Sequence, residues 1–216
     1  DKPPRAIVVT SPLPGDGKSF TAANLAVSIA AAGQKVVLVD GDLRRPKVAT
    51  MFGLPEGAGL SDVLAGRADV ADVLQPTDIG GNLQVLAAGA VPPNPSEILG
   101  SDRMRQLIQH LSETALVIID SPPLLPVTDA AVLSTRADGA LVVVSAGKTT
   151  YDALGQALDL LDKAKAKPLG IVINRVPTTG AGAAYYGYHY TGAYYSQPPA
   201  EPESKDQENA KRMATF

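Results

Sequence analysis

Short runs of apolar residues recur along the chain, separated by longer stretches in which apolar positions return every three or four residues. The short runs lie at residues 6–10, 35–40, 83–87, 116–120, 140–145 and 169–174, and they are rich in Val, Ile and Leu with few polar interruptions. Near-continuous runs of this length predict strands covered on both faces of a parallel sheet. Helical patterning fills most of the gaps, at 18–32, near 60–65, and at 95–111, 129–136 and 151–166. Strand–helix alternation predicts a three-layer, doubly wound α/β domain with a mostly parallel sheet and ligands at the carboxyl ends of its strands. The Gly- and Pro-rich stretches 51–59 and 88–96 predict surface loops near that site. From residue 177 the periodicity stops, and Gly, Ala and Tyr give way to Pro and charged residues. Residues 1–176 therefore read as a folded domain and 177–216 as a flexible tyrosine-rich tail.

The organising stretch is Thr10 to Ser19, T-S-P-L-P-G-D-G-K-S, between the first strand and the first helix. Strand, glycine loop, lysine, hydroxyl and helix in that order form the context of a phosphate-binding loop. Gly15 and Gly17 let the backbone turn its N–H groups onto phosphate oxygens, and the helix start adds its positive end. The expected cradle comprises Pro14, Gly15, Asp16, Gly17, Lys18, Ser19 and Phe20. Lys18 would reach the β- and γ-phosphates, and the Ser19 hydroxyl would ligate Mg²⁺. The usual glycine five residues before Gly17 is Pro12 here, so the loop opens differently.

Further acids follow at strand ends. The second strand ends V-V-L-V-D-G-D-L-R-R-P, which places Asp40 and Asp42 beside the phosphate crevice, suited to metal and general-base work. Arg44 and Arg45 could steady phosphates or pair with those acids. The fourth strand ends in Asp120 after four apolar residues, the pattern of an aspartate that orients Mg²⁺. Asn174 and Arg175 either contact the adenine base or merely end the last strand.

Composition narrows the function classes. A net charge of −3 argues against generic nucleic-acid binding. The absence of cysteine removes disulfides and thiolate metal sites, and His110 and His189 match no metal spacing. No apolar run is long enough for a membrane-spanning helix. Six of the seven tyrosines, Tyr185, Tyr186, Tyr188, Tyr190, Tyr194 and Tyr195, fall within eleven residues. A phenol with an ordinary pKa near about 10 is a poor nucleophile at neutral pH unless a carboxylate takes its proton.

The motif order resembles the bacterial tyrosine kinases of capsular and exopolysaccharide synthesis. The matching segments are S-P-L-P-G-D-G-K-S, V-D-G-D-L-R-R-P, I-I-D-S-P-P, the tyrosine-rich end, and the connecting G-L-S-D-V-L-A-G and A-G-A-V-P-P-N-P-S-E-I-L-G-S. The resemblance spans roughly residues 5 to 196 and implies the P-loop fold of the MinD and ParA type. It implies ATP- and Mg²⁺-dependent phosphorylation of protein tyrosines and regulation of polysaccharide polymerisation and export. It also implies roles by position: Lys18 and Ser19 on phosphate and metal, Asp40 as base, Asp42 and Asp120 as Mg²⁺ organisers, and the tail tyrosines as phosphorylated sites. The implied partners are a membrane adaptor of the chain-length-regulator type, further copies in a ring, protein-tyrosine substrates and a cognate phosphatase. The implied location is the cytoplasmic face of the membrane, through an adaptor or a fused transmembrane region. Only five residues precede Ala6, where the family usually places a Glu-x-x-Arg helix with ring contacts, so the chain reads as a piece of something longer. Phosphates gathering on the tail are expected to repel one another and the acidic site. Two alternatives stand beside this reading: an ATPase switch of the ParA and MinD kind, whose signature lysine is replaced by Leu13, and a non-catalytic ATP-binding scaffold.

Overall fold

The computed structural model describes residues 3–78 and 81–177. The tail tyrosines lie outside the described residues. The strands are β1 (Ala6–Thr10), β2 (Val36–Asp40), β3 (Leu74–Pro76), β4 (Leu83–Leu86), β5 (Leu116–Asp120), β6 (Gly139–Ser145) and β7 (Pro168–Asn174). They form one sheet in the order β3-β4-β2-β5-β1-β6-β7, parallel throughout except for β3 against β4. Every expected strand is present, and β2 and β5 are buried at all positions, as their unbroken apolar runs require.

Helices cover both faces. On one face lies α1 (Lys18–Ala31), whose alanines Ala22, Ala26 and Ala30 recur every four residues and let it sit close to Val9, Leu38, Ile118 and Val143. The other face carries α3 (Leu60–Leu64), α5 (Pro95–Leu99), α6 (Asp102–Ser112), α7 (Asp129–Ser134) and α8 (Tyr151–Lys163). Leu99, Met104, Leu107, Leu133 and Leu161 pack there against Val39, Val117, Ile119 and Val142. Two short helices, α2 (Val48–Phe52) and α4 (Val70–Val73), complete the set.

Several expectations need correction. The single helix over 95–111 is two, because Ser101 caps a new one: its hydroxyl accepts from the Met104 amide at 3.2 Å and donates to the Ile98 carbonyl at 2.7 Å. Met51 and Phe52 belong to α2, so the loop expected over 51–59 starts after them. The sequence leaves open whether the sheet gains an edge strand, and β3 is one: three residues ending in proline carry no strand pattern of their own and pair with β4. The helices expected to end at 136 and 166 stop at Ser134 and Lys163.

Candidate functional site

The carboxyl ends of β1, β2, β5, β6 and β7 converge on the glycine loop. Close backbone packing brings the first three together. Thr10 Oγ1 donates to the Pro122 carbonyl at 2.8 Å, the Ser121 hydroxyl donates to the Val9 carbonyl at 3.0 Å, and the Gly41 amide donates to the Asp120 carbonyl at 2.8 Å. A Cβ at Gly41 would come within 2.8 Å of that same Asp120 carbonyl, so the glycine between Asp40 and Asp42 is required by this approach.

The loop is braced from within and from the β6 and β7 ends. Asp16 is buried, its carboxylate accepting from the Leu13 amide at 3.1 Å and from Thr149 Oγ1 at 3.0 Å. Asn174 Nδ2 donates to the Asp16 carbonyl at 3.0 Å. The side chains of Asp16 and Asn174 therefore hold the loop's shape. Gly15 and Gly17 adopt φ of 87° and 95°, the left-handed region that glycine enters freely. Among the described residues, the amides of Gly15 through Phe20 donate to no protein oxygen, leaving a concave set of free N–H groups at the start of α1. Phe20 turns its ring to solvent, so only its backbone faces the cradle.

A Cβ at Gly17 would overlap the Asn174 carboxamide, on a backbone already at positive φ. Gly17→Ala is therefore expected to cost at least about 1–2 kcal/mol in backbone strain alone and to weaken ADP binding roughly tenfold or more. Titration with a fluorescent ADP analogue checks this, and unchanged affinity would mean that the loop relaxes freely.

Two carboxylates face one lysine, and a third lies buried beside them. Lys18 Nζ lies 3.0 Å from Asp42, 3.6 Å from Asp120 and 3.3 Å from the Ser19 hydroxyl. Asp40 and Asp120 are direct neighbours across the β2–β5 ladder. Asp40 is fully buried and accepts from the Lys47 and Val48 amides, each at 2.9 Å, and from the Asp42 amide at 3.3 Å. Burial raises its carboxyl from 3.8 to about 6, helped by the Asp120 and Asp42 charges and opposed by the Val48 and Lys47 amides. Burial also raises Asp120, more than the Lys18 charge lowers it. Both Asp120 oxygens are buried without a hydrogen-bond partner, although Lys18 stands at ion-pair distance. Asp42 lines a cavity of about 350 Å³ that also opens onto Lys18, Pro14 and Gly15.

Arg44 pairs with neither aspartate of its own loop. Its guanidinium forks onto buried Asp129 at 2.7 and 3.1 Å, and Ser96 donates to the same carboxylate. Burial pushes the Asp129 carboxyl up, and the Arg44 fork and Ser96 hydroxyl more than offset this, leaving it below the usual range. Sequence reasoning missed Asp129, Ser96, Thr149 and Lys148. Lys148 Nζ would lie 3.1 Å from a Cβ at Gly15, so this cation stands against the loop, and it makes no ion pair among the described residues. The available signals were the A-G-K-T-T that directly follows β6 and the serine of P-P-N-P-S-E. Arg175 follows β7 at φ 57°, its amide donating to Asn174 Oδ1 at 2.8 Å.

The residues fit a nucleotide with Mg²⁺. Free amides, an orphaned buried carboxylate and a serine hydroxyl beside it match what phosphates and a hard cation take. Among the described residues, no group of three His, Cys, Asp or Glu side chains could hold a metal by itself. The ion's shell would include the nucleotide's own oxygens.

This fold and cradle define a P-loop NTPase domain of the ParA and MinD type. The family profile described as "ParA: NUBPL iron-transfer P-loop NTPase" matches residues 3–183. The cell division ATPase MinD of Pyrococcus furiosus superposes with a TM-score of 0.68 at 29% identity, over 85% of this chain and 78% of that one. Tyrosine-protein kinase YwqD of Bacillus subtilis is 39% identical over 198 residues, 91% of this chain and 82% of the relative. The kinase domain of Escherichia coli tyrosine kinase ETK superposes with a TM-score of 0.79 at 36% identity, over 82% of this chain and 69% of that one. The chain belongs to the bacterial tyrosine kinases, the family that its motif order resembles. Against the full-length Escherichia coli etk, 38% identical, it spans 25% of the relative's length.

Proposed function

We propose that this chain is an ATP-dependent protein-tyrosine kinase domain that phosphorylates the tyrosine cluster of another copy and regulates capsular or exopolysaccharide export. The observation that carries the reading is the Lys18 ammonium set between buried Asp42 and Asp120 beside the phosphate cradle, with buried Asp40 next to Asp120 across the ladder. In it, the amides of residues 15–20 hold the phosphates, and Lys18 moves from Asp42 onto their oxygens. Ser19, Asp120 and one oxygen of Asp42 would hold Mg²⁺, which would supply positive charge against the negative charge that develops on the transferred phosphoryl group. The tyrosine oxygen bonds to the γ-phosphorus as the β–γ bridge bond breaks and ADP leaves. The resemblance places the base at Asp40. The geometry favours Asp42 for the phenolic proton, since Asp42 lines the cavity and Asp40 is closed off behind three amides. Asp40 then positions Asp42. Asn174 and Arg175, at the end of β7 beside the loop, are the candidates to meet the base of the nucleotide.

A membrane adaptor of the chain-length-regulator type, a ring of copies, and a phosphatase that resets the tail belong to the same proposal. So does a position at the inner face of the membrane; among the described residues no helix is long and apolar enough to cross it. The test is incubation with Mg²⁺ and ATP followed by mass-spectrometric mapping. Phosphotyrosine at Tyr185, Tyr186, Tyr188, Tyr190, Tyr194 or Tyr195 supports the kinase. ATP hydrolysis without phosphotyrosine, in a form extended by the preceding helix, would favour a MinD-like switch and overturn it.

A further inference from the structure

The cavity beside Asp42 has two unlike halves. Its floor is Lys18 and Asp42; its wall is Pro122, Pro123, Pro126 and Val127 from the loop after β5. Proline rings and a valine carry no side-chain donors, so the wall suits a flat apolar ring whose single polar atom points to the floor. Arg45 and Lys47 border the same space. Their backbones are fixed by the acids beneath them: the Arg45 amide donates to Asp42 Oδ1 at 3.1 Å, and the Lys47 amide to Asp40 Oδ2 at 2.9 Å. Their side chains are exposed, and among the described residues neither has an ion-pair partner. Arg44 borders the same cavity but is already committed to Asp129. The mouth of an acidic site therefore carries, on an anchored loop, two cations without an ion-pair partner among the described residues.

We propose that this cavity is the acceptor subsite and that Arg45 and Lys47 select a tyrosine whose immediate neighbour is already a phosphotyrosine. This rests on the kinase reading above. The ring of the acceptor lies on the proline wall with its hydroxyl at Asp42. The phosphate of the adjacent residue, carrying about −1.5 to −2 charges, meets the Arg45 guanidinium and the Lys47 ammonium. The chain itself carries such neighbours, Tyr185 with Tyr186 and Tyr194 with Tyr195. The first phosphate on a pair then promotes the second. This is opposite to the repulsion expected from the acids alone, because those acids lie on the floor and the cations lie at the entrance.

The test uses the protein with Mg²⁺, ATP and synthetic peptides containing Ala-Tyr-Tyr-Ser, the first tyrosine being unmodified, phosphorylated, or replaced by Glu or Phe. The phosphorylated peptide is expected to show a kcat/KM roughly tenfold above the Phe peptide, mostly through KM and falling with added salt, with Glu in between. In Arg45→Gln/Lys47→Gln that ratio should collapse to about one, while ADP affinity and thermal stability, measured alongside, report folding. A wild-type ratio of one or below, or a ratio surviving in the double variant, overturns the proposal. Binding of the labelled phosphopeptide, read by fluorescence anisotropy with Mg²⁺ and ADP, separates the two readings. Binding that needs Arg45 and Lys47 without any turnover would keep the anion site and overturn the kinase. Turnover of every peptide without preference would keep the kinase and overturn the site.

Discussion

Lys18→Met is expected to do two things at once. Phosphotyrosine formation should fall by at least roughly 10²–10³-fold, the usual loss when one preorganised charge is withdrawn from a transition state. The protein without nucleotide should also become less stable. Among the described residues, Lys18 Nζ is the cation within 4 Å of Asp42 and Asp120, whose side chains are 8% and 1% exposed. Removing one partner of a buried ion pair costs about 3–5 kcal/mol, because the remaining charge stays out of water. Asp120, already raised by burial, can take up a proton instead, so the deficit should shrink on acidification. Quantitative phosphotyrosine detection and thermal unfolding between pH 5 and 8 read both effects. A variant as stable as the parent at every pH would show that the lysine contributes nothing to the empty site's fold.

Asp40→Asn should act in the opposite direction on stability. The Asp40 carboxyl is raised from 3.8 to about 6 by burial, so between those values the folded protein holds a proton that the unfolded chain has released. Stability from this group is therefore full below about pH 4 and is lost as pH rises through about 6. An amide of the same shape removes the charge and keeps an acceptor for the Lys47 and Val48 amides, while its NH2 replaces the oxygen that takes the longer bond from the Asp42 amide. At pH 7.5 the variant without nucleotide should gain about 1–3 kcal/mol, or roughly 3–8 °C in Tm. Its stability should also fall less steeply between pH 4 and 6. Asp120, raised in the same direction, retains part of the slope. Unfolding in EDTA at several pH values measures this, and a variant less stable than the parent at pH 7.5 would mean that the buried carboxylate is needed as an anion. Such a gain, set against lost activity, would mark Asp40 as strain retained for function.

Much of this site was legible in the chain because its signals are local. A phosphate loop needs glycines at fixed offsets from lysine and serine, and residues 10–19 supply them in one segment. Asp40 and Asp120 each close an unbroken apolar run, so a parallel sheet necessarily brings them to one edge. The six expected strands rest on the same fact, that burial on both faces leaves no room for alternation. Where the signal was weak, the reading drifted. The periodicity of Leu99, Met104, Leu107 and Leu111 runs across the break at Gly100 and Ser101, and only the Ser101 hydroxyl bonds reveal two helices.

The sequence by itself determined the doubly wound sheet, the phosphate cradle, the acids at the strand ends and the family. Each is encoded in residue types at short spacing, where the chain's own geometry leaves little choice. Tertiary structure alone decided which charges meet. Arg44 is 85 residues from Asp129, and Thr149 is 133 from Asp16, separations across which no local pattern speaks. It also decided that Asp40 is sealed while Asp42 faces the cavity, and that Arg45 and Lys47 border it without an ion-pair partner among the described residues. Access to water and the presence of a partner are set by everything else that packs around a side chain.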